Sequence, residues 1–262
     1  MTRVQIVGGG RMGEALIRGV ISSGSVPPHD IRVVEASSER RAQLSAELGE
    51  VEITDTIGAA DGTVIAVKPG DVAAVAAQVA QASGGRILSI AAGVTIAQIE
   101  AAAGDGVAVV RAMPNTPALI GAGAAAITGG SSATAADLDW AEALLGAVGV
   151  VVRVSEPQLD AVTGLSGSGP AYVFLIAEAL IDAGVSAGLP RDLATTLATQ
   201  TLLGSARLLV EGSDSPAELR AAVISPGGTT AAGVRVLEQR AVRAALIDAV
   251  IAARDRSVEL AQ

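Results

Sequence analysis

The sequence predicts an α/β protein whose first half is a mostly parallel sheet and whose second half is entirely helical. Three observations carry that reading. Short apolar runs alternate with Ala- and Leu-rich segments of helical spacing through the first half, the pattern of a parallel sheet with right-handed crossovers. A G-x-G-x-x-G stretch joins the first run to the first helix, which makes the sheet Rossmann-type. After about Ser155 the strand-like runs stop and helical periodicity continues to Leu260. We therefore expect a dinucleotide-binding domain over residues 1–154 and an all-helical domain over 155–262.

The elements follow in order. Val4–Val7, Ile31–Val34, Val64–Val67, Ile87–Ile90, Val107–Val110 and Ala124–Ile127 read as buried strands, being short and mostly apolar. Gly149–Val154 reads as a further edge strand. Helical spacing covers Gly13–Ser23, Arg40–Leu48, Val72–Ala80 and Ala135–Leu145. In the second half, breaks fall at Gly188-Leu189-Pro190, Gly212-Ser213-Asp214 and Ser225-Pro226-Gly227-Gly228. Asp214 or Ser215 before Pro216 reads as an N-cap followed by a first-turn proline. Pro170 either starts a helix after Ser168-Gly169 or kinks one. Tyr172–Leu189 and Leu193–Leu209 present wide apolar faces. We read them as a dimer interface; the alternative is that they cover each other and the sheet domain.

Composition narrows the function classes. Half of the 262 residues are hydrophobic but only 1% are aromatic, so the core must be built from Ala, Val, Leu and Ile. The net charge of −9 argues against nucleic acid and anionic membrane as partners. Without cysteine there is no disulfide, thiolate nucleophile or Cys-based metal site, which fits a reducing cytoplasm. No spacing suits a metal, and no signal-peptide pattern opens the chain. The most apolar stretch, Ala118–Ile127, is too short to span a bilayer. Lys68 and His29 are the sole lysine and histidine, which limits the candidates for acid–base chemistry; His29, in a Pro-rich turn, reads as a solvated loop residue. Trp140 and Met113 read as core, and Asp137, Asp139 and Glu142 as a solvated helix face.

The glycine loop is the first site. Val4–Val7 runs into Gly8-Gly9-Gly10-Arg11-Met12-Gly13 and then an apolar helix. Gly8 permits the tight turn, Gly10 lets the backbone approach a pyrophosphate, and Gly13 lets helix and strand pack closely. The helix start then offers amides and partial positive charge to the phosphates. Glu35, 22 residues after Gly13, stands where an acid binds the ribose 2′-hydroxyl of NAD. Ser37, Ser38, Arg40 and Arg41 follow at once and suit a 2′-phosphate, so NAD and NADP stay open.

Five further motifs bring a family into view. Ala66-Val67-Lys68-Pro69, Ser89-Ile90-Ala91-Ala92-Gly93-Val94, Arg111-Ala112-Met113-Pro114-Asn115-Thr116-Pro117, the run from Asp160 to Tyr172, and Ser225-Pro226-Gly227-Gly228-Thr229-Thr230 come in one order along nearly the whole chain. Together they resemble the pyrroline-5-carboxylate reductases. The resemblance implies a Rossmann domain with a helical domain whose helices interleave with a partner's, in dimers that assemble into decamers. It implies NADPH or NADH as hydride donor and reduction of 1-pyrroline-5-carboxylate to L-proline, the last step of proline biosynthesis. Cofactor contacts then fall on Gly8, Gly10, Arg11, Met12, Gly13, Glu35, Ser37, Ala66, Val67, Lys68, Pro69, Ala91, Ala92, Gly93 and Asn115. The substrate carboxylate falls on Ser225, Gly227, Gly228, Thr229 and Thr230, with the Thr230 hydroxyl near the ring nitrogen as the catalytic group. Read from the residues alone, Gly227 and Gly228 expose amides ahead of a helix over Ala231–Glu238, or Thr229 or Thr230 is an ordinary N-cap. Two departures stand out: Ala221-Ala222 replace a polar pair common in the family, and Glu35 replaces a small or hydroxyl residue. The rivals are a β-hydroxyacid dehydrogenase, which usually needs a lysine in the helical domain where this chain has none, and a non-catalytic NAD(P)-binding protein.

Overall fold

The structure, a computed structural model, describes residues 3–261. It divides into two compact units, one holding the chain through Ser168 together with Val250 onward, the other holding Gly169–Ala249.

The first unit is built on a sheet of β1 (Val4–Val7), β2 (Ile31–Val34), β3 (Glu52–Thr54), β4 (Gly62–Ile65), β5 (Arg86–Ser89), β6 (Val109–Met113), β7 (Gly123–Gly129) and β8 (Gly149–Arg153), in the order β3-β2-β1-β4-β5-β6-β7-β8. Every pairing is parallel except β6 with β7. The fold class is the one the alternating pattern predicts. The crossovers are α1 (Arg11–Ser22), α2 (Ser38–Leu48), α3 (Val72–Gln81), α4 (Ile96–Ala103) and α5 (Ala135–Gly146).

Two apolar clusters hold the sheet. Leu16, Ile17 and Val20 of α1 pack with Ile6, Val33, Leu44 and Ile127 in one. Ile65, Val72, Val79, Ile87, Ile99 and Val109 form the other. Fully buried leucine and isoleucine side chains contribute about 1.5–3 kcal/mol each. The polar residues of the central strands are satisfied: Gln5 donates to the Thr63 hydroxyl (3.1 Å) and accepts the Gly58 N–H (3.0 Å), while Thr63 donates to the Gly84 carbonyl (2.7 Å).

The strand ends differ from expectation by small shifts. β4 and β5 start earlier and β6 runs on to Met113, so Met113 is the last strand residue and not part of the following loop. β3 and α4 have no expected counterpart. β3 is three residues on the sheet edge, and α4 is eight residues set by Thr95, whose hydroxyl accepts the Gln98 N–H (3.3 Å) while Gln98 accepts the Thr95 N–H (2.9 Å). His29 is exposed in a short 3-10 turn, as expected. Trp140 is only half-buried, and the Arg86 guanidinium lies 5.4 Å from its ring. Asp137 is a correction: it is buried, accepts hydrogen bonds from the Thr134 amide (2.8 Å) and hydroxyl (2.7 Å), and pairs with Arg86 at 3.2 Å. Asp139 and Glu142 do face solvent, where both pair with Arg153.

Beyond β8, α6 (Gln158–Val162) passes into a π turn over Thr163–Gly167, closed by the Ser168 N–H on the Thr163 carbonyl (2.8 Å). α7 (Gly169–Ser186) starts after this turn, so Pro170 sits in a first turn and interrupts no helix. α8 (Arg191–Glu211), α9 (Pro216–Ala222), α10 (Thr229–Gln239) and α11 (Val242–Leu260) follow, and the three expected breaks separate α7 from α8, α8 from α9 and α9 from α10. Ser215 caps α9 in a reciprocal pair with Glu218. Gly184 brings α7 and α8 together near their turn, since a Cβ there would lie 2.9 Å from that of Ala194.

The second unit has almost no buried side chains. Phe174 and Leu175 of α7 and Leu203, Leu208 and Val210 of α8 are each more than half exposed. Besides the short Ala118–Ile127 run, Gln158–Ser186 is long and apolar enough to cross a membrane by length and composition, although the π turn interrupts it.

Burial raises the Asp137 carboxyl, but the Thr134 hydroxyl and amide and the Arg86 charge outweigh it and hold the group below the usual aspartate range. A depressed carboxylate contributes stability above its unfolded value, lost as pH falls through the folded one. Asp137→Ala should therefore cost about 1–2 kcal/mol at neutral pH. In urea unfolding the deficit should shrink as the pH drops below about 4. An equal deficit at pH 7 and pH 3 would show that the carboxylate charge is not what stabilises this corner.

Candidate functional site

Strand order dictates where a ligand belongs. From β1 the chain builds outward to β2 and β3, then returns to place β4 on the other side of β1. At such a switch point the loops leaving the two neighbouring strands diverge and open a crevice at the carboxyl edge. β1, β2, β4, β5 and β6 are mutually parallel, so their following loops share that edge. The predicted cofactor residues gather there: Gly8 to Gly13 after β1, Glu35 and Ser37 after β2, Ala66 to Pro69 after β4, Ala91 to Gly93 after β5, and Asn115 after β6.

The glycines carry distinct tasks. Gly8 has φ +107°, and a Cβ on it would lie 2.5 Å from the Ala66 carbonyl oxygen. A Cβ on Gly13 would lie 2.0 Å from the Gly8 carbonyl oxygen. Gly8 lets the loops after β1 and β4 touch, and Gly13 lets the first turn of α1 lie against the β1 loop. Gly10 is different: it is the extended N-cap of α1, and a Cβ there would meet nothing within 4 Å. Having no side chain, Gly10 cannot cap α1, so the first-turn amides of Arg11, Met12 and Gly13 receive no side-chain acceptor at the positive end of the helix. That donor set fits a pyrophosphate.

Acids and arginines order the neighbouring loop. The Glu35 carboxylate accepts the Gly9 N–H and the Ser37 N–H, both at 2.8 Å. Ser37 caps α2 through its hydroxyl. Arg40 donates to the Gly9 carbonyl (2.8 Å) and pairs with Glu14. The Arg18 hydrogen bond holds the Glu14 carboxyl below the usual glutamate range, with partial burial opposing and Arg40 adding to the effect.

Farther along the edge, Ala91 is buried, while Ala92 and Lys68 are exposed. Gly93 has φ +74° and lies against Leu260. Both ends of the Asn115 side chain are committed inside the protein, its amide donating to the Ser166 carbonyl (3.0 Å) and its oxygen accepting the Ala124 N–H (2.8 Å). Asn115 therefore ties the π turn to the β6–β7 connection. Sequence reading missed Glu156, which accepts from buried Arg111 (3.0 Å) and from the Ile96 N–H (2.7 Å) and so fixes the start of α4. Its only signal was a buried arginine in need of a partner.

The second predicted set lies within the second unit. Ser225-Pro226-Gly227-Gly228 is a β-turn with proline at its second position, Gly227 at φ +73° in the third, and the Gly228 N–H on the Ser225 carbonyl (3.0 Å), the type II pattern. That bond corrects one expectation, because the Gly228 amide closes the turn and is not offered to a ligand. Neither Thr229 nor Thr230 is the N-cap; Gly228 is, and it brings no capping side chain. A Cβ on Gly228 would lie 2.3 Å from the Ser225 hydroxyl oxygen. The outward amides are those of the first turn of α10: Thr229, Thr230 and Ala231, the last not anticipated. Thr230 is half-buried and Thr229 exposed.

A glycine-capped helix at the switch point of a 3-2-1-4-5-6 sheet, followed by a helical domain, defines a nicotinamide-dinucleotide oxidoreductase. Sequence comparison agrees. Residues 3–93 match the family described as NADP oxidoreductase coenzyme F420-dependent, and residues 156–260 match Pyrroline-5-carboxylate reductase dimerisation. The pyrroline-5-carboxylate reductase of Corynebacterium melassecola is 42% identical over 99% of both chains. The structure of the Coxiella burnetii enzyme superposes with a TM-score of 0.94 at 36% identity, covering 100% of this chain and 99% of that one. The Plasmodium falciparum pyrroline carboxylate reductase, crystallised with NADP bound, gives 0.86 at 28% identity, covering 100% and 98%. The chain belongs to the pyrroline-5-carboxylate reductase family.

Gly10 and Gly13 separate binding from folding. Gly10→Ala should leave the melting temperature within a few degrees of wild type while weakening dinucleotide binding about tenfold or more, as a methyl group enters open space at the phosphate seat. Gly13→Ala should lower the melting temperature itself, because its Cβ meets backbone. Thermal melts with and without dinucleotide test both; a Gly10→Ala variant with full affinity would remove the phosphate from this helix start.

Proposed function

We propose that this chain reduces 1-pyrroline-5-carboxylate to L-proline with NADPH or NADH, the last step of proline biosynthesis. The observation that carries the reading is the second glycine-capped helix. A dinucleotide needs only the start of α1; the start of α10 provides a separate seat for a small carboxylate.

In this reading Gly8, Gly10, Arg11, Met12 and Gly13 hold the pyrophosphate, Glu35 and Ser37 the adenosine ribose, and Ala66, Val67, Lys68 and Pro69 line the middle of the nucleotide. Small Ala91, Ala92 and Gly93 leave room for the nicotinamide ring. Asn115 contributes by fixing its loop, since its side chain is already committed. When bound, the reduced nicotinamide supplies a hydride to the imine carbon. The substrate carboxylate is received by the amides of Thr229, Thr230 and Ala231, with Ser225, Gly227 and Gly228 shaping the turn beneath it. The Thr230 hydroxyl hydrogen-bonds the ring nitrogen. A threonine hydroxyl is a poor acid, so its contribution is orientation; the ring nitrogen arrives protonated, and that charge makes the neighbouring carbon electrophilic.

The apolar faces of α7 and α8 have little cover within one chain, and the family match over residues 156–260 is to a dimerisation region. We read 155–262 as the substrate and dimerisation domain of a homodimer, with five dimers forming a decamer. The apolar Gln158–Ser186 run then serves subunit contact in a cytoplasmic protein with no membrane or nucleic-acid partner, in keeping with the net charge of −9.

The purified protein should oxidise a reduced nicotinamide cofactor only when 1-pyrroline-5-carboxylate is added; oxidation with β-keto or semialdehyde acids instead would overturn the assignment. Thr230→Ala should lower kcat about tenfold, the worth of one positioning hydrogen bond near 1.4 kcal/mol. An unchanged kcat removes Thr230 from the reaction. Leu203→Glu with Leu208→Glu should shift sedimentation to the monomer, and an unaltered oligomer would place the interface elsewhere.

A further inference from the structure

The loop after β2 bears on which dinucleotide the protein prefers. NAD and NADP differ by a phosphate on the adenosine 2′-oxygen, a group carrying close to two negative charges at neutral pH. A site for that phosphate needs uncommitted cations or amides, whereas a site for the bare 2′-hydroxyl needs an acceptor.

Both arginines and the Ser37 amide near this position are already bonded within the chain itself, leaving only the uncharged Ser37 and Ser38 hydroxyls as donors. Arg40 spends its guanidinium on the Gly9 carbonyl (2.8 Å), on Glu14, and on the Gln43 side chain (3.3 Å). Arg41 donates to the Glu35 (2.7 Å) and Ala36 (2.8 Å) carbonyls and pairs with Asp55 at 3.3 Å. The Ser37 hydroxyl accepts the Arg40 N–H as the cap of α2, and the Ser37 N–H is taken by Glu35. Each arginine thus faces a carboxylate of this chain, leaving little net positive charge for a phosphate.

Glu35 stands in the place itself. Its backbone N–H is bonded to the Thr54 carbonyl (2.9 Å), its carboxylate bridges Gly9 and Ser37, and it borders the glycine loop closely enough that a Cβ on Gly9 would lie 3.2 Å from one carboxylate oxygen. Each oxygen accepts one amide and keeps a further lone pair for a hydroxyl. From this arrangement we infer that Glu35 makes the protein NADH-selective, by accepting the ribose 2′-hydroxyl and repelling a 2′-phosphate.

The inference rests on the glycine loop as the dinucleotide site, and calorimetric binding separates the two. Wild type should bind NADH about tenfold or more tightly than NADPH, with kcat/KM following the same order. Glu35→Gln, which keeps an acceptor without the charge, and Glu35→Ser, which opens space, should each move the NADH-to-NADPH affinity ratio at least about tenfold toward NADPH. Tighter or equal NADPH binding by wild type overturns the selectivity. A folded Glu35→Gln protein that loses both affinities equally overturns the role of the charge. Binding of neither nucleotide by wild type would instead strike the dinucleotide site itself.

Discussion

Two close backbone contacts in the first unit set the geometry of its glycine loop. The loop leaving β1 lies directly on the loop leaving β4, and its own carbonyl abuts the first turn of α1, at distances that admit no Cβ on Gly8 or Gly13. Only this packing lets α1 begin at the switch point with its amides at the crevice. The buried strands are apolar on both faces because they serve that arrangement, and Gln5 and Thr63 can lie among them only because each finds a partner.

The same device occurs twice. α2, α4 and α9 start on Ser37, Thr95 and Ser215, whose hydroxyls satisfy their first-turn amides. α1 and α10 start on glycine and leave those amides outward. A helix start without its own acceptor is less stable by about 0.5–2 kcal/mol where alanine replaces the cap, and by a few tenths where glycine does. Glycine is thus the residue that withholds a cap at small cost. In an acidic chain these two helix starts supply local positive potential that the net charge does not.

Much of this was legible in the sequence. β1 and β2 were readable to the residue, because three β-branched residues among four, between polar turns, have few other uses. The glycine loop and the Ser225–Thr230 turn were readable because proline and glycine at fixed positions leave the backbone little choice. What escaped depended on distant partners. β3 is a strand only because β2 pairs with it. Asp137 looked like one more helix-surface acid, and only its bonds to Thr134 and its pairing with Arg86 bury it. The Asn115 side chain joins Ser166 to Ala124, a tie that leaves no mark in the local sequence. The Gly228 amide was counted as available because a turn's closing bond leaves no mark in composition.

The bareness of α7 and α8 bears on how this protein comes into being. A newly made chain carries Phe174, Leu175, Leu203, Leu208 and Val210 into water until another copy arrives. Where the second unit is completed by association, its stability obeys mass action, and the apparent thermal midpoint climbs with protein concentration. Low expression would thus limit not only how much enzyme a cell holds but what fraction of it is whole.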